Sequence, residues 1–243
     1  MAVDLLVFGP HPDDVEIGAG GVVARHVELG LTVGLCDLTA AEMSTNGTVE
    51  QRLQEAEDAR KALGAAWREN LGWPDRRIGK DPAHLDEAIA FIRRHQPRVV
   101  AAPYWTDRHP DHAAASAVVT EAVFNSGLRR YPAPGEPWKA DWICYYFIND
   151  SAPPSFVVDV SDCYVRKRAA LDCYASQFQP GPAAVGTRLN TPSFRQMIES
   201  RDAQFGALAG VAWAEGLVVR EPIVRSTVMK VEGGCHPGLP GVR

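Results

Sequence analysis

Along the chain, short apolar runs take turns with longer stretches in which apolar positions recur every three or four residues. Val3–Gly9 (VDLLVFG) reads as a buried strand that stops at Gly-Pro, and Glu16 to Gly30 follows with helical spacing and Gly30 as its stop. Thr32–Thr39 (TVGLCDLT) is a second buried strand. Val49 to Gly64 then places Leu53, Ala56, Ala59, Ala62 and Leu63 on one helical face. After a short connecting segment, Trp67 to Leu71, and a loop at Pro74, Asp81 and Pro82 open a helix that runs to about Gln96. Arg98–Tyr104 (RVVAAPY) is another buried strand, and Pro110 to Ser126 a fourth helix.

This order predicts an α/β fold, a Rossmann-like three-layer αβα sandwich with a mostly parallel sheet. The C-terminal part is expected to be irregular. After a Pro/Gly loop from Tyr131 to Pro137, strands are expected at Trp142–Ile148 and Phe156–Val160, and helices at Ser161–Phe178 and Ser193–Gly210. No internal repeat or low-complexity linker divides the chain, so a single domain is expected over residues 1–232, with the Gly/Pro-rich stretch 233–243 as a flexible tail. Gln179 to Pro192, with three Pro and two Gly, is a candidate active-site loop.

Composition sharpens this picture mainly by exclusion. With 46% hydrophobic and 23% charged residues over 243 positions, the chain has the makings of a sizeable core and is not a disordered one. Thirty acidic residues against 25 Lys and Arg leave a formal charge of −5, so the basic field that draws in nucleic acid is missing and no nucleic-acid partner is expected. The start, Met1-Ala2-Val3-Asp4, has no basic n-region or small-residue cleavage site, and no apolar stretch is long enough to span a bilayer. A soluble cytoplasmic protein without a membrane partner is therefore expected. The five cysteines contain no CxxC pair, which suits reduced thiols and leaves any metal to His and carboxylate ligands.

In an open parallel sheet, ligands sit beyond the carboxyl ends of the strands, and two such places here are unusual. His11-Pro12-Asp13-Asp14-Val15-Glu16 follows the first strand, and Asp107-Arg108-His109-Pro110-Asp111-His112 follows the Arg98–Tyr104 strand. Helix capping accounts for part of this: Asp13 with Glu16 resembles a capping box, and Asp111 suits the start of the fourth helix. Capping needs no imidazole, however, and both segments spend His next to carboxylates in a chain with seven His. A shared metal site explains both. His11, Asp14 and His112 supply the His₂Asp set of a catalytic zinc with one open position. Asp13 is then a carboxylate beside the metal, placed as general base for a water. His109, if protonated, donates to a developing oxyanion, with Asp111 holding it in that state. Arg108 adjoins this cluster, and its planar fork suits a substrate carboxylate.

Other features read as structure. Gly18-Ala19-Gly20-Gly21 does not complete GxGxxG and lies inside a helix, where close packing explains it. There is no GxSxG elbow and no Walker A sequence. His26, His84, His95 and His236 are expected at the surface or partly buried, and the aromatic cluster from Trp138 to Tyr146 in the core or at a subunit interface. Trp105 is the candidate for stacking on a sugar.

The pair HPDDVE and RHPDH resembles the PIG-L/LmbE-like family of zinc-dependent N-acetylglucosaminide deacetylases, over about Asp4 to Pro222. Within that family, Gly34-Leu35-Cys36-Asp37-Leu38-Thr39, Glu42-Met43, Asn46-Gly47-Thr48-Val49-Glu50, Arg52, Glu69-Asn70-Leu71-Gly72 and Pro74-Asp75-Arg76 are similar to the bacillithiol-biosynthesis deacetylases. The resemblance implies His11, Asp14 and His112 as metal ligands, Asp13 as base, His109 with Asp111 behind it at the oxyanion, and Arg52 reaching into the substrate cleft. It implies hydrolysis of the N-acetyl group of N-acetylglucosaminyl-malate, giving glucosaminyl-malate and acetate. The alternatives are deacetylation of a chitooligosaccharide or a mycothiol-type precursor, or a non-catalytic sugar-binding domain of the same fold. Zn2+ is the expected metal, with Fe2+, Mn2+ or Co2+ able to take its place. A small-molecule substrate and a homo-oligomer, trimer or hexamer, are the expected partners. The sequence departs from the family at Pro10, where Ala is commoner, and at Leu217, where an aromatic is usual.

Overall fold

The computed structural model describes residues 2–179, 181 and 184–224. The strands are β1 (Leu5–Gly9), β2 (Val33–Thr39), β3 (Trp67–Trp73), β4 (Val99–Pro103), β5 (Trp142–Tyr146), β6 (Phe156–Asp159) and β7 (Ala214–Val218). The helices are α1 (Asp14–Glu28), α2 (Val49–Leu63), α3 (Pro82–His95), α4 (Pro110–Ser126), α5 (Tyr164–Cys173), α6 (Ala175–Phe178) and α7 (Pro192–Ala209). All seven strands form one sheet in the order β3-β2-β1-β4-β5-β7-β6. From β3 to β5 neighbours are parallel, while β7 runs antiparallel to both β5 and β6.

The period of two along β1 divides the core. Leu5 and Val7 pack with α1, α2 and α5 residues such as Val15, Leu63 and Leu171, whereas Leu6 and Phe8 face α3 and α4 residues such as Ile89, Ile92 and Val119. The expected three layers are present. Local signals set several helix ends: Thr48 Oγ1 accepts from Gln51 N at the start of α2, Gly64 closes it at φ 79°, and Asp81 caps α3 ahead of Pro82. Gly18 is required by packing, since a Cβ there would run into the Tyr146 ring and, at 2.5 Å, the Phe147 carbonyl.

Three expectations change. Trp67 to Leu71, read as a connecting segment, belongs to the edge strand β3; its partly exposed residues carry no clean alternation to announce it. Ala214–Val218 is a strand that the irregular second half concealed. The long helix expected over Ser161–Phe178 is divided at Tyr174 into α5 and α6. No helix among the described residues is long and apolar enough to cross a membrane, and Cys36, Cys144, Cys163 and Cys173 are free thiols. The expected tail 233–243, with His236 and Cys235, lies outside the described residues.

β1 has β2 on one side and β4 on the other, and this is where the strand order reverses. The backbone segments that leave β1 and β4 therefore open a crevice between them. Both His-containing segments are there.

Candidate active site

At this crevice lies a cleft of about 390 Å³, whose lining includes His11, Asp13, Asp14, Arg52, Asp75, Arg76, Arg108, His109, His112 and Asn149. The two segments, about a hundred residues apart, are thus one site. Asp14 Oδ2 is 3.0 Å from His11 Nδ1 and 3.3 Å from His112 Nε2, so both rings meet the same carboxylate oxygen. The second nitrogen of each ring is also committed. His112 Nδ1 is 3.1 Å from Asp107, and His11 Nε2 is 3.2 Å from Asp75 and 3.3 Å from Asp111.

This donor set fits a divalent metal. Two imidazoles and a carboxylate offer one atom each, and every ligating ring has a carboxylate on its outer nitrogen, which fixes the tautomer and raises ligand basicity. Among the described residues, the groups whose ligand atoms all lie within 4.8 Å of one another are His11–His109–His112 and His11–Asp75–Asp111. Both share His11.

Electrostatics separates the carboxylates. Burial resists ionisation of Asp14, but His112 and His11 overcome it and hold its pKa well below the usual range. Asp107 and Asp75 are likewise lowered, against burial, to about 2 by their His112 and His11 partners and by backbone N–H donors. Conversely, carboxylates outweigh burial at the rings: Asp111, Asp14 and Asp75 raise His11 well above its ordinary value, and Asp14 and Asp107 raise His112 to about 9. Asp13 is the exception, pushed up by burial to about 7 with Arg52 as the main opposing charge.

Asp13 is set apart by its backbone. At φ 112° it occupies a conformation that L residues rarely adopt, and its side chain makes no capping bond. The capping-box reading fails here because both carboxylates are drawn to distant arginines: Asp13 to Arg52 at 3.0 Å, and Glu16 to the buried Arg68 at 2.5 Å. Arg52 is itself buried, with Nη2 also on the Pro12 carbonyl and Nη1 on Ser44 Oγ at 2.9 Å. It was expected to reach into the cleft. It lines the cleft, but its guanidinium is spent on holding Asp13 and the turn before it.

His109 caps α4, its Nδ1 accepting the Asp111 backbone N–H at 3.3 Å. Two expectations are corrected by this. The Asp111 carboxylate is not behind His109; it accepts from Arg76 Nη1 at 2.9 Å and Arg76 N at 3.0 Å and faces His11. Nor is His109 an obvious cation, because burial and the neighbouring His112 and His11 lower its pKa. With Nδ1 accepting, a neutral ring carries its proton on Nε2 and remains a donor.

Arg108 is exposed at the cleft wall, as its expected role requires. Trp105 does not line the cleft; its ring packs on Tyr104 and Tyr145 and is covered by Arg220. Leu217 is buried in β7 away from the cleft, and the far wall comes instead from Thr187, Leu189 and Phe194. Of the other histidines, His84 stacks on Trp73 and His95 packs on Trp67, both buried rather than superficial.

Four residues at the site were not singled out from the sequence: Asp75, Arg76, Asp107 and Asn149. Asp107 opens the second His-containing segment, and Asp75-Arg76 belongs to one of the resembling stretches. Asn149 had no signal, yet its backbone N and Nδ2 both bond Asp107, at 2.9 and 3.0 Å.

A Rossmann-like sheet with a His/Asp cluster able to hold a metal at its switch point, beside a carboxylate pushed up to about 7, has the donor set that metal-assisted hydrolysis requires. Comparison with known proteins agrees. The PIG-L family signature, described as GlcNAc-PI de-N-acetylase, matches residues 6–123. The crystal structure of the conserved protein TT1542 from Thermus thermophilus superposes with a TM-score of 0.85 at 38% identity, covering 94% of this chain and 100% of that one. The diacetylchitobiose deacetylase of Thermococcus kodakarensis is 28% identical over 228 residues, 88% of this chain and 81% of the relative. The 1D-myo-inositol 2-acetamido-2-deoxy-alpha-D-glucopyranoside deacetylase of Rhodococcus erythropolis is 34% identical over 170 residues, 55% of this chain and 57% of the relative. The chain belongs to the PIG-L family, and the two curated relatives named here are deacetylases.

Proposed function

We propose that this protein removes the acetyl group from the 2-amino position of an N-acetylglucosaminide, with zinc held by His11 Nδ1, Asp14 Oδ2 and His112 Nε2. The observation that carries this reading is that His11 Nδ1 and His112 Nε2 both meet Asp14 Oδ2, at 3.0 and 3.3 Å, in a cleft that also presents Asp13, whose pKa is pushed up to about 7. Bound zinc supplies Lewis acidity, which acidifies water and polarises an amide carbonyl. Asp13 takes a proton from the attacking water, its Oδ2 steadied by Arg52. His109 donates its Nε2 proton bond to the oxyanion that develops on the acetamide oxygen. When the C–N bond breaks, Asp13 returns its proton to the leaving amine. Acetate and the free glucosaminide result. A carboxylate with a pKa near neutrality suits both halves of this cycle.

For the aglycone we propose malate, on the strength of Arg108, an exposed cation at the cleft that a neutral sugar would not need. The second reading is a neutral aglycone, favoured by the names of the two curated relatives, which act on a chitobiose and an inositol glycoside. Arg108→Ala separates them when kcat/KM is compared on N-acetylglucosaminyl-malate, diacetylchitobiose and the inositol glycoside. Losing a charged hydrogen bond costs roughly tenfold to a hundredfold on the malate compound and little on the other two. An equal loss on all three overturns the malate assignment.

A further inference from the structure

The far wall of the cleft carries a feature that the hydrolytic machinery does not use. Thr187 lines the cleft, and its Oγ1 is buried with no hydrogen-bond partner among the described residues. A lone buried hydroxyl is costly unless something bonds it.

The loop bearing Thr187 is held at several points. The Asn46 side chain pairs with Val185 in both directions, Nδ2 donating to the Val185 carbonyl at 2.9 Å and Oδ1 accepting its N–H at 3.0 Å. Asn190 repeats the device within the loop, its Oδ1 accepting the Thr187 N–H at 3.0 Å and its Nδ2 donating to the Val185 carbonyl at 2.9 Å. Gln177 Nε2 in turn donates to the Asn46 carbonyl at 2.8 Å. Every one of these polar groups is paired, while the hydroxyl of Thr187, a residue that lines the cleft, is left over. Preorganised polar groups of this kind set a ligand's orientation, and the lining residues Leu189 and Phe194 from the same stretch of chain offer only apolar contacts.

We infer that Thr187 is a specificity-determining residue that hydrogen-bonds a ring hydroxyl of the sugar, with Asn46 positioning its loop. The inference rests on the deacetylase reading for its choice of ligand. A hydroxyl both donates and accepts, so it suits another hydroxyl, and a ligand lacking that group would bury Oγ1 unpaired.

The test is calorimetric binding of N-acetylglucosamine to the zinc-loaded chain in an Asp13→Asn background, which keeps the sugar intact. Thr187→Val, close in shape but without the hydroxyl, is expected to weaken binding about tenfold, and Thr187→Ser to restore it to within about threefold. The 3-, 4- and 6-deoxy sugars provide the second arm. One of them is expected to bind about tenfold more weakly than the parent sugar to the Thr187 protein, yet no more weakly than the parent to Thr187→Val. Equal affinity of the Thr187 and Thr187→Val proteins for the parent sugar, or the same deoxy penalties in both, overturns the inference, as does failure of the sugar to bind at all. Thr187-dependent binding without any acetate release by the Asp13 protein would remove the deacetylase reading and leave this one standing.

Discussion

Nδ1 of His112 lies 3.1 Å from Asp107, while Nε2 of the same ring lies 3.3 Å from Asp14. One side of the ring is thus anchored, which on the proposed reading leaves the other to bind a metal. Removing the anchor by Asp107→Ala is expected to weaken zinc binding about 10- to 100-fold, read by competition with a chromophoric chelator. Unchanged affinity would mean that Asp107 does not orient the ring.

Arg52 and Asp13 make a prediction about pH. Arg52 opposes the upward push of burial on Asp13, so its loss leaves the carboxylate harder to ionise. A general base works only when ionised, and the rising limb of log kcat/KM against pH reports that ionisation. Arg52→Ala is expected to move this limb to higher pH and to lower activity most on its acid side. A limb that stays in place, or moves to lower pH, contradicts the pairing.

The backbone bond from Asp111 to His109 Nδ1 leaves Nε2 as the donor. His109→Ala is expected to lower kcat by about 10²- to 10³-fold with KM little changed, the signature of a bond made in the transition state. A rise in KM at constant kcat would instead assign His109 to ground-state binding.

Lys167 tests what holds α1, and therefore Asp14, in place. Its Nζ is buried 2.5 Å from both Asp202 and Glu215, and Glu215 accepts the Gly21 and Val22 N–H groups of α1. Lys167→Met leaves Glu215 without its cation and Asp202 with Arg201 alone. The expected cost is about 3–5 kcal/mol, a fall in Tm on the order of 10 °C by calorimetry. A Tm within about 2 °C of the parent would show that the cluster contributes little.

What the sequence made legible was local. The β-α alternation of the first half, Asp81 before Pro82, and the two His-containing segments are each written in a few consecutive residues. Partners distant along the chain were harder to see. The capping box at Asp13 and Glu16 is sound locally, but Arg52 and Arg68 claim both carboxylates. The Asp111 carboxylate was placed behind its neighbour His109 by proximity in sequence, whereas Arg76, held at φ 65°, takes it. Trp105 adjoins the site in sequence and still points elsewhere, under Arg220. β3 escaped because an edge strand with partly exposed residues has no strict period to read.

The central claim is that a metal and Asp13 act together on an acetamide. The most direct measurement is free-amine release from N-acetylglucosaminyl-malate, with diacetylchitobiose and the inositol glycoside alongside, by zinc-loaded, chelator-stripped and Asp13→Asn proteins. Release by the zinc-loaded protein alone, lost on stripping, regained on adding zinc and reduced by about 10²-fold or more in Asp13→Asn, is the predicted result. Release that persists in the stripped protein or in Asp13→Asn, or no release from any of the three by folded, zinc-loaded protein, would contradict it.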